Sequence, residues 1–217
     1  GYALFDKGKI EEAIYQYKVA INLKPSYTDA HYNLGYALFD KGKIEEAIYQ
    51  YKIAINLKPN YTDAHYNLGR ALFDKGRIEE AIYQYKMAIK LSPDFVKGHN
   101  NLGLALFAEQ KIGEAIIHYK MAIKLNPNYS KTHYNLGRAL VAMHETEEAI
   151  SHYKMAIKLS PDFAEAHYNL GTVLFNAKMT EEAINYYKEA IRIQPDYPKA
   201  HYNLGIALVA EGKNEEA

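Results

Sequence analysis

A 34-residue self-similarity runs the length of the chain and constrains its fold more than any other feature. Take the stretch from Thr62 to Phe95 as the reference unit. Shifted by its own length, it meets AHYNLG again at Ala30, Ala166 and Ala200, HNNLG at His99 and HYNLG at His133. Within the unit, Ala64, Leu68, Ala71 and Leu72 fall on one helical face between Asp63 and Lys75. A second such face, with Ala81, Ile82, Tyr85, Ala88, Ile89 and Leu91, lies between Glu79 and Leu91. Gly76 suits the left-handed residue that closes the first helix, and Pro93 stops the second because it lacks the helical N–H donor. A hairpin of two such helices cannot hide its apolar surface within itself, so it must stack on its neighbours.

With Thr62 as position 1, the unit carries Leu68 and Gly69 at positions 7 and 8, Ala81 and Ala88 at 20 and 27, Tyr85 at 24 and Pro93 at 32. This pattern, in register over all 217 residues, resembles the tetratricopeptide repeat family. The resemblance implies an all-α fold, an α-solenoid of tandem helix-turn-helix units forming a right-handed superhelix. As one array the chain divides into a partial repeat at 1–27, whole repeats at 28–61, 62–95, 96–129, 130–163 and 164–197, and a partial repeat at 198–217. Gly1 to Tyr27 differs from Gly35 to Tyr61 only at Val19 against Ile53 and Ser26 against Asn60. A start at Gly1, in mid-helix, reads as a fragment, and the last repeat is expected to have barely begun its second helix at Ala217. Farther along, Gln110, His144 and Lys178 replace the turn glycine, which costs little if they turn left-handed and nothing if the turn is rebuilt.

Composition excludes several function classes. Lys plus Arg balances Asp plus Glu at 26 each, which argues against a general nucleic-acid or membrane-surface binder. No apolar run approaches the roughly 18 residues of a membrane span. The absence of cysteine excludes disulfides and thiolate metal sites and leaves the compartment open, with the cytoplasm favoured. Ser26, Ser92, Ser130, Ser151 and Ser160 lack a glycine elbow and any recurring His and Asp partner. There is no HExxH pair, EF-hand loop or phosphate-cradling glycine motif. An enzyme is therefore not expected, nor a cofactor. His31, His65, His99, His133, His167 and His201 recur once per repeat, too far apart for one zinc ion, and are expected to pack and hydrogen-bond; the same spacing excludes His118 and His152. No metal site is expected.

The residual face of the first helices is the candidate site. In the family these helices line the concave groove that receives ligands. Applied here, the groove presents Asn33, Asn67, Asn101, Asn135, Asn169 and Asn203 as a ladder, beside Tyr32, Tyr66, Tyr134, Tyr168 and Tyr202. Phe39, Phe73, Phe107 and Phe175 run alongside. A primary amide offers donors and an acceptor to a peptide unit, and a rung about every 9 Å matches about three residues of extended chain. The ladder resembles that of the O-linked N-acetylglucosamine transferase repeats, which implies an extended polypeptide as ligand. The family's clamp for chaperone tails needs Lys or Arg at positions 5 and 6, where this chain has Tyr32, Asn33, Tyr66 and Asn67. Arg70, Arg138, Lys97 and Lys131 supply cations to the groove. Its N-terminal half is otherwise acidic through Asp6, Asp29, Asp40, Asp63 and Asp74, and its C-terminal half is basic, with Glu165 as an exception. The outward side of the second helices, as at Glu79, Glu80, Gln84 and Lys86, reads as a solvated face.

The expected function is thus a scaffold that binds a partner protein or extended peptide. The alternatives are a self-assembling structural module and the substrate-selecting arm of a larger enzyme such as a glycosyltransferase. Self-association would run head to tail, because Tyr2, Ala3, Leu4 and Phe5 at one end and Leu204, Ala207 and Leu208 at the other are expected to be uncovered.

Overall fold

The computed structural model describes residues 7–215, with side chains for residues 9–212. Among the described residues there are twelve α-helices and no strand. They are α1 (Lys7–Leu23), α2 (Thr28–Asp40), α3 (Ile44–Leu57), α4 (Thr62–Asp74), α5 (Ile78–Leu91), α6 (Val96–Ala108), α7 (Ile112–Leu125), α8 (Ser130–Ala142), α9 (Thr146–Leu159), α10 (Ala164–Asn176), α11 (Thr180–Ile193) and α12 (Pro198–Glu215). Helices α4 and α5 fall within a residue or so of the bounds that periodicity assigns.

The turn inside each repeat is a helix end closed by a backbone bond. Gly76 takes φ 73°, and the Arg77 N–H donates to the Leu72 carbonyl at 2.9 Å. That six-to-one bond satisfies a carbonyl the helix would otherwise leave orphaned. It recurs from Lys43 to Leu38, Lys111 to Leu106, Glu145 to Leu140 and Met179 to Leu174. Because the bond needs a left-handed residue before its donor, Gln110, His144 and Lys178 adopt φ of 61°, 61° and 66°. The turn is kept and the side chain bears the strain.

The helices group into two compact units, one through Lys111 with α1 to α6 and one from Ile112 with α7 to α12. In the first, α2 with α3 and α4 with α5 form hairpins, while α3 packs on α4 and α5 on α6. In the second, α8 with α9 and α10 with α11 form hairpins, while α7 packs on α8, α9 on α10 and α11 on α12. Each hairpin closes on a buried tyrosine. Tyr51, Tyr85, Tyr153 and Tyr187 are at most 2% exposed. The ring lies so near the facing first helix that a Cβ on Gly35 would come within 2.8 Å of Tyr51, and one on Gly69 within 2.7 Å of Tyr85. Glycine there is a packing requirement. The first helices also touch directly, α2 with α4, α4 with α6 and α10 with α12, which sets their outer residues in a row.

Three features differ from expectation, the first being that Ala207, expected to be uncovered, is fully buried. Helix α12 runs unbroken from Pro198 to Glu215, through the place where earlier repeats turn. The second helix elsewhere opens on Ile44, Ile78, Ile112, Thr146 or Thr180, and the matching residue here is Asn214. The outward face of the second helices is also not purely polar: Tyr15, Tyr49 and Tyr83 are 60–64% exposed, as is Ile117 in α7 at 64%. Tyr2, Ala3, Leu4, Phe5, Asp6 and Ala217 lie outside the described residues.

Candidate functional site

In the first unit the side-by-side first helices bring five of the expected residues around one hollow of about 660 Å³. It is lined by Tyr32, Tyr66, Asn67, Arg70 and Lys97, together with Tyr36, Asp63, Asp94, Phe95 and Val96. The asparagine amides knit the row. Asn67 Nδ2 donates to the Tyr32 hydroxyl at 2.9 Å, and Asn101 Nδ2 to the Tyr66 hydroxyl at 3.1 Å, each reaching back one repeat. The carbonyl ends are engaged too, Asn67 Oδ1 accepting from Arg70 at 3.3 Å and Asn101 Oδ1 from Asn100 at 3.0 Å. Asn67 is only 7% exposed. A carboxamide has two N–H groups and two lone pairs, so Asn67 keeps one of each unspent, whereas the Asn101 amide also bonds the Tyr85 hydroxyl. Asn33, partly buried on α2, lies outside the hollow.

Aromatic stacking fixes the walls. Tyr32 packs on Tyr61 with ring centroids 4.9 Å apart, and Tyr66 on Phe95 edge-on at 4.9 Å. These partners close each repeat and were not among the expected site residues. The signal was present, since position 34 is aromatic at Tyr27, Tyr61, Phe95, Tyr129, Phe163 and Tyr197. Burial pushes the Tyr61 hydroxyl up to about 12, helped by the carboxylates of Asp29 and Asp63. The Arg70 guanidinium stacks over Phe39 at 4.9 Å and lies 6.0 Å from the Tyr66 ring, so the fork is held between aromatic faces. No ion pair of Arg70 or Lys97 occurs among the described residues.

The second unit repeats the pattern. Asn169 Nδ2 donates to Tyr134 at 3.1 Å and Asn203 Nδ2 to Tyr168 at 3.2 Å, while Tyr134 stacks on Phe163 at 4.8 Å and Tyr168 on Tyr197 at 5.0 Å. Arg138 lies 5.8 Å over the Tyr134 ring. Burial raises the Tyr134 hydroxyl, with Arg138, Glu165 and the Asn169 bond as smaller influences, Arg138 and Asn169 acting against it. Asn135 is buried at 8%, Lys131 is exposed at the start of α8, and Tyr202 on α12 is 72% exposed.

Family profiles described as "TPR repeat" match residues 1–42, 35–73, 69–109 and 103–144, and profiles described as "Tetratricopeptide repeat" match 134–198 and 186–217. The chain belongs to the tetratricopeptide repeat family. No curated protein sequence matches it. Among solved structures, its fold is similar to YrrB, described as "a TPR protein with an unusual peptide-binding site", at 24% identity and TM-score 0.69 over 86% of this chain and 96% of that one. It is similar to MamA at 28% identity and TM-score 0.69, over 75% of this chain and 95% of that one. A chain of the APC/C hetero-tetramer Cut9–Hcn1 aligns at 24% identity and TM-score 0.80, over 93% of this chain and 40% of that one.

As a tetratricopeptide repeat, each unit also uses its histidine structurally. His65 is 4% exposed; its Nε2–H donates to the Pro59 carbonyl at 3.0 Å, and its Nδ1 lies 2.7 Å from the Gln84 amide. The histidine thus ties the link before the first helix to the second helix. The Nε2-to-proline bond recurs at His31, His99, His133, His167 and His201. In the third and fourth whole repeats His118 and His152 replace the glutamine, and His152 Nδ1 meets His133 Nδ1 at 2.9 Å. No helix among the described residues is long and apolar enough to cross a membrane.

Proposed function

We propose that this tetratricopeptide array is a protein-interaction scaffold that holds an extended peptide along the first-helix face, with the hollow of the first unit as its anchor for an acidic side chain. One observation carries the reading: Arg70 is held by Asn67 Oδ1 and by stacking on Phe39, beside Lys97, with no carboxylate partner among the described ion pairs. A pre-oriented guanidinium fork gains a bidentate, charge-assisted pair when a carboxylate arrives, at little entropic cost. Asp63 and Asp94 on the same rim favour a basic neighbour in the ligand. The remaining amide N–H and lone pair of Asn67 serve the peptide backbone. The ladder resembles that of the O-linked N-acetylglucosamine transferase repeats, and the peptide site named for YrrB supports the same class of ligand.

The test is fluorescence anisotropy against a library of extended acidic and neutral peptides. Acidic binders are expected to lose about ten- to a hundredfold in affinity with Arg70→Ala, and to recover only in part with Arg70→Lys, which keeps the charge but not the fork. Neutral peptides should lose little. Acidic peptides that bind Arg70→Ala and the parent equally would remove the hollow from the function.

A further inference from the structure

Behind the wall of the first unit's hollow lies a buried hydroxyl without a hydrogen-bond partner, that of Tyr51. The residue is 0% exposed, and its ring packs against Tyr32 with centroids 6.0 Å apart. Burial pushes the hydroxyl pKa up, with Tyr32 and Tyr36 adding to the effect and Arg70 opposing it. Tyr32, Tyr36 and Arg70 all line the hollow, so the unpaired hydroxyl abuts its wall. Such a group gives up its bonds to water on folding and gains nothing in return.

Elsewhere an asparagine meets this hydroxyl. Tyr85 is bonded by Asn101, sixteen residues on, and Tyr187 by Asn203, at the same separation. Sixteen residues beyond Tyr51 stands Asn67. Ring placement does not separate the three cases. Tyr66 with Tyr85 and Tyr168 with Tyr187 also lie 6.0 Å apart, at interplanar angles of 49° and 44° against 47° for Tyr32 with Tyr51. The residue three beyond the asparagine does separate them. It is Leu104 after Asn101 and Ile206 after Asn203, but Arg70 after Asn67. Arg70 donates to Asn67 Oδ1 at 3.3 Å while Asn67 Nδ2 donates to Tyr32. Held at both ends, the amide keeps its spare N–H away from Tyr51.

We infer that Tyr51 is a positioning residue of the anchor: an arriving carboxylate draws the Arg70 fork off Asn67, and the freed amide turns its spare N–H onto the Tyr51 hydroxyl. The Arg70 bond to Asn67 is long and joins a cation to a neutral acceptor, so a bidentate, charge-assisted pair displaces it at a gain. The state reached is the one Asn101 already shows with Tyr66 and Tyr85. A carboxamide of the same shape as the ligand's carboxylate lacks the charge that draws the fork away. Tyr51 therefore adds to the preference for an acidic residue over its amide. For its ligand the inference rests on the peptide reading above, while the free chain supplies a test of its own.

That test is urea unfolding without ligand. Tyr51→Phe should hold or raise the parent's midpoint, since no bond is lost, whereas Tyr85→Phe should lower it. In an Arg70→Ala background, where the Asn67 amide is released, Tyr51→Phe should lower the midpoint too. Fluorescence anisotropy then compares the tightest glutamate-containing peptide of the library with its glutamine counterpart. Tyr51→Phe should weaken the glutamate peptide about three- to tenfold, the worth of one hydrogen bond, and leave the glutamine peptide unchanged. A Tyr51→Phe loss of midpoint that is the same with and without Arg70 would overturn the inference. So would a Tyr51→Phe chain that binds the glutamate peptide as the parent does while Arg70→Ala loses it. Equal binding by Arg70→Ala and the parent would fail the peptide reading as well, which tells that failure apart from one of Tyr51 alone.

Discussion

His152, like His118 one repeat before it, stands where Gln50 and Gln84 stand in earlier repeats, and the exchange gives the hairpin of α8 and α9 a titratable joint. Since His133 spends its Nε2–H on Pro127, its Nδ1 accepts, and neutral His152 donates from Nδ1 at 2.9 Å. Burial holds the His152 pKa below the usual 6.5, with His133 and Lys120 adding to the effect and Glu148, 3.8 Å away, opposing it. A depressed histidine binds its proton more readily in the unfolded chain, so the neutral pair contributes stability above about pH 6.5 and loses it as pH falls below that value. Thermal melts between about pH 7.5 and 5 should show the parent losing more stability than His152→Gln; equal losses would contradict the assignment. The turn residues make a second test at this scale. His144 bears φ 61° without glycine's freedom, so His144→Gly should stabilise by about 0.5–1 kcal/mol, the left-handed strain outweighing the added unfolded-state entropy. A denaturant midpoint that does not rise would place the strain elsewhere. The sequence marked these positions as departures from glycine, but whether the turn is kept or rebuilt depends on a six-to-one bond that no residue code announces.

Among helices, contacts between neighbours carry the stability. The Tyr85 ring fills the notch at Gly69, so Gly69→Ala forces a clash at 2.7 Å that neither backbone nor ring can easily relieve. Its cost should be about 1–3 kcal/mol, against the gain that glycine-to-alanine exchange gives in an open helix; equilibrium unfolding in urea checks the sign. The inter-repeat bond from Asn67 to Tyr32 offers a cleaner measurement. A double-mutant cycle with Asn67→Ala and Tyr32→Phe should return a coupling of about 1 kcal/mol, and a coupling near zero would make the bond incidental. The sequence pattern located this asparagine row from its period but assigned its amides to solvent and ligand. Their engagement with the tyrosines one repeat back follows from the direct contact of first helix on first helix, which periodicity implies only in outline.

For the molecule as a whole, stability should grow with the number of repeats, since each repeat is held by its neighbours. Inserting a further copy of Thr62 to Phe95 between Phe95 and Val96 should raise the melting temperature of the first unit's transition, and an unchanged or lower value would count against nearest-neighbour additivity. The ion pairs should matter little to that number. Lys75 with Glu45 at 3.3 Å and Lys120 with Glu148 at 3.2 Å join repeats, but their side chains are 38–61% exposed, where solvent screens them.

The sequence by itself determined the repeat, the two helices in it, the turn, the family and the row of polar residues along the first helices. It could do so because a 34-residue period repeats each local preference six times over, and a helix stripe and a left-handed turn are local properties. Only the tertiary structure decided what those polar residues touch. Asn67 turned out buried at 7% and Tyr202 exposed at 72%, though both belong to the same pattern, because coverage is set by which repeat packs against which. The same reason separates Gly69, filled by a ring, from Gly205, which carries the same sequence signal and faces open space.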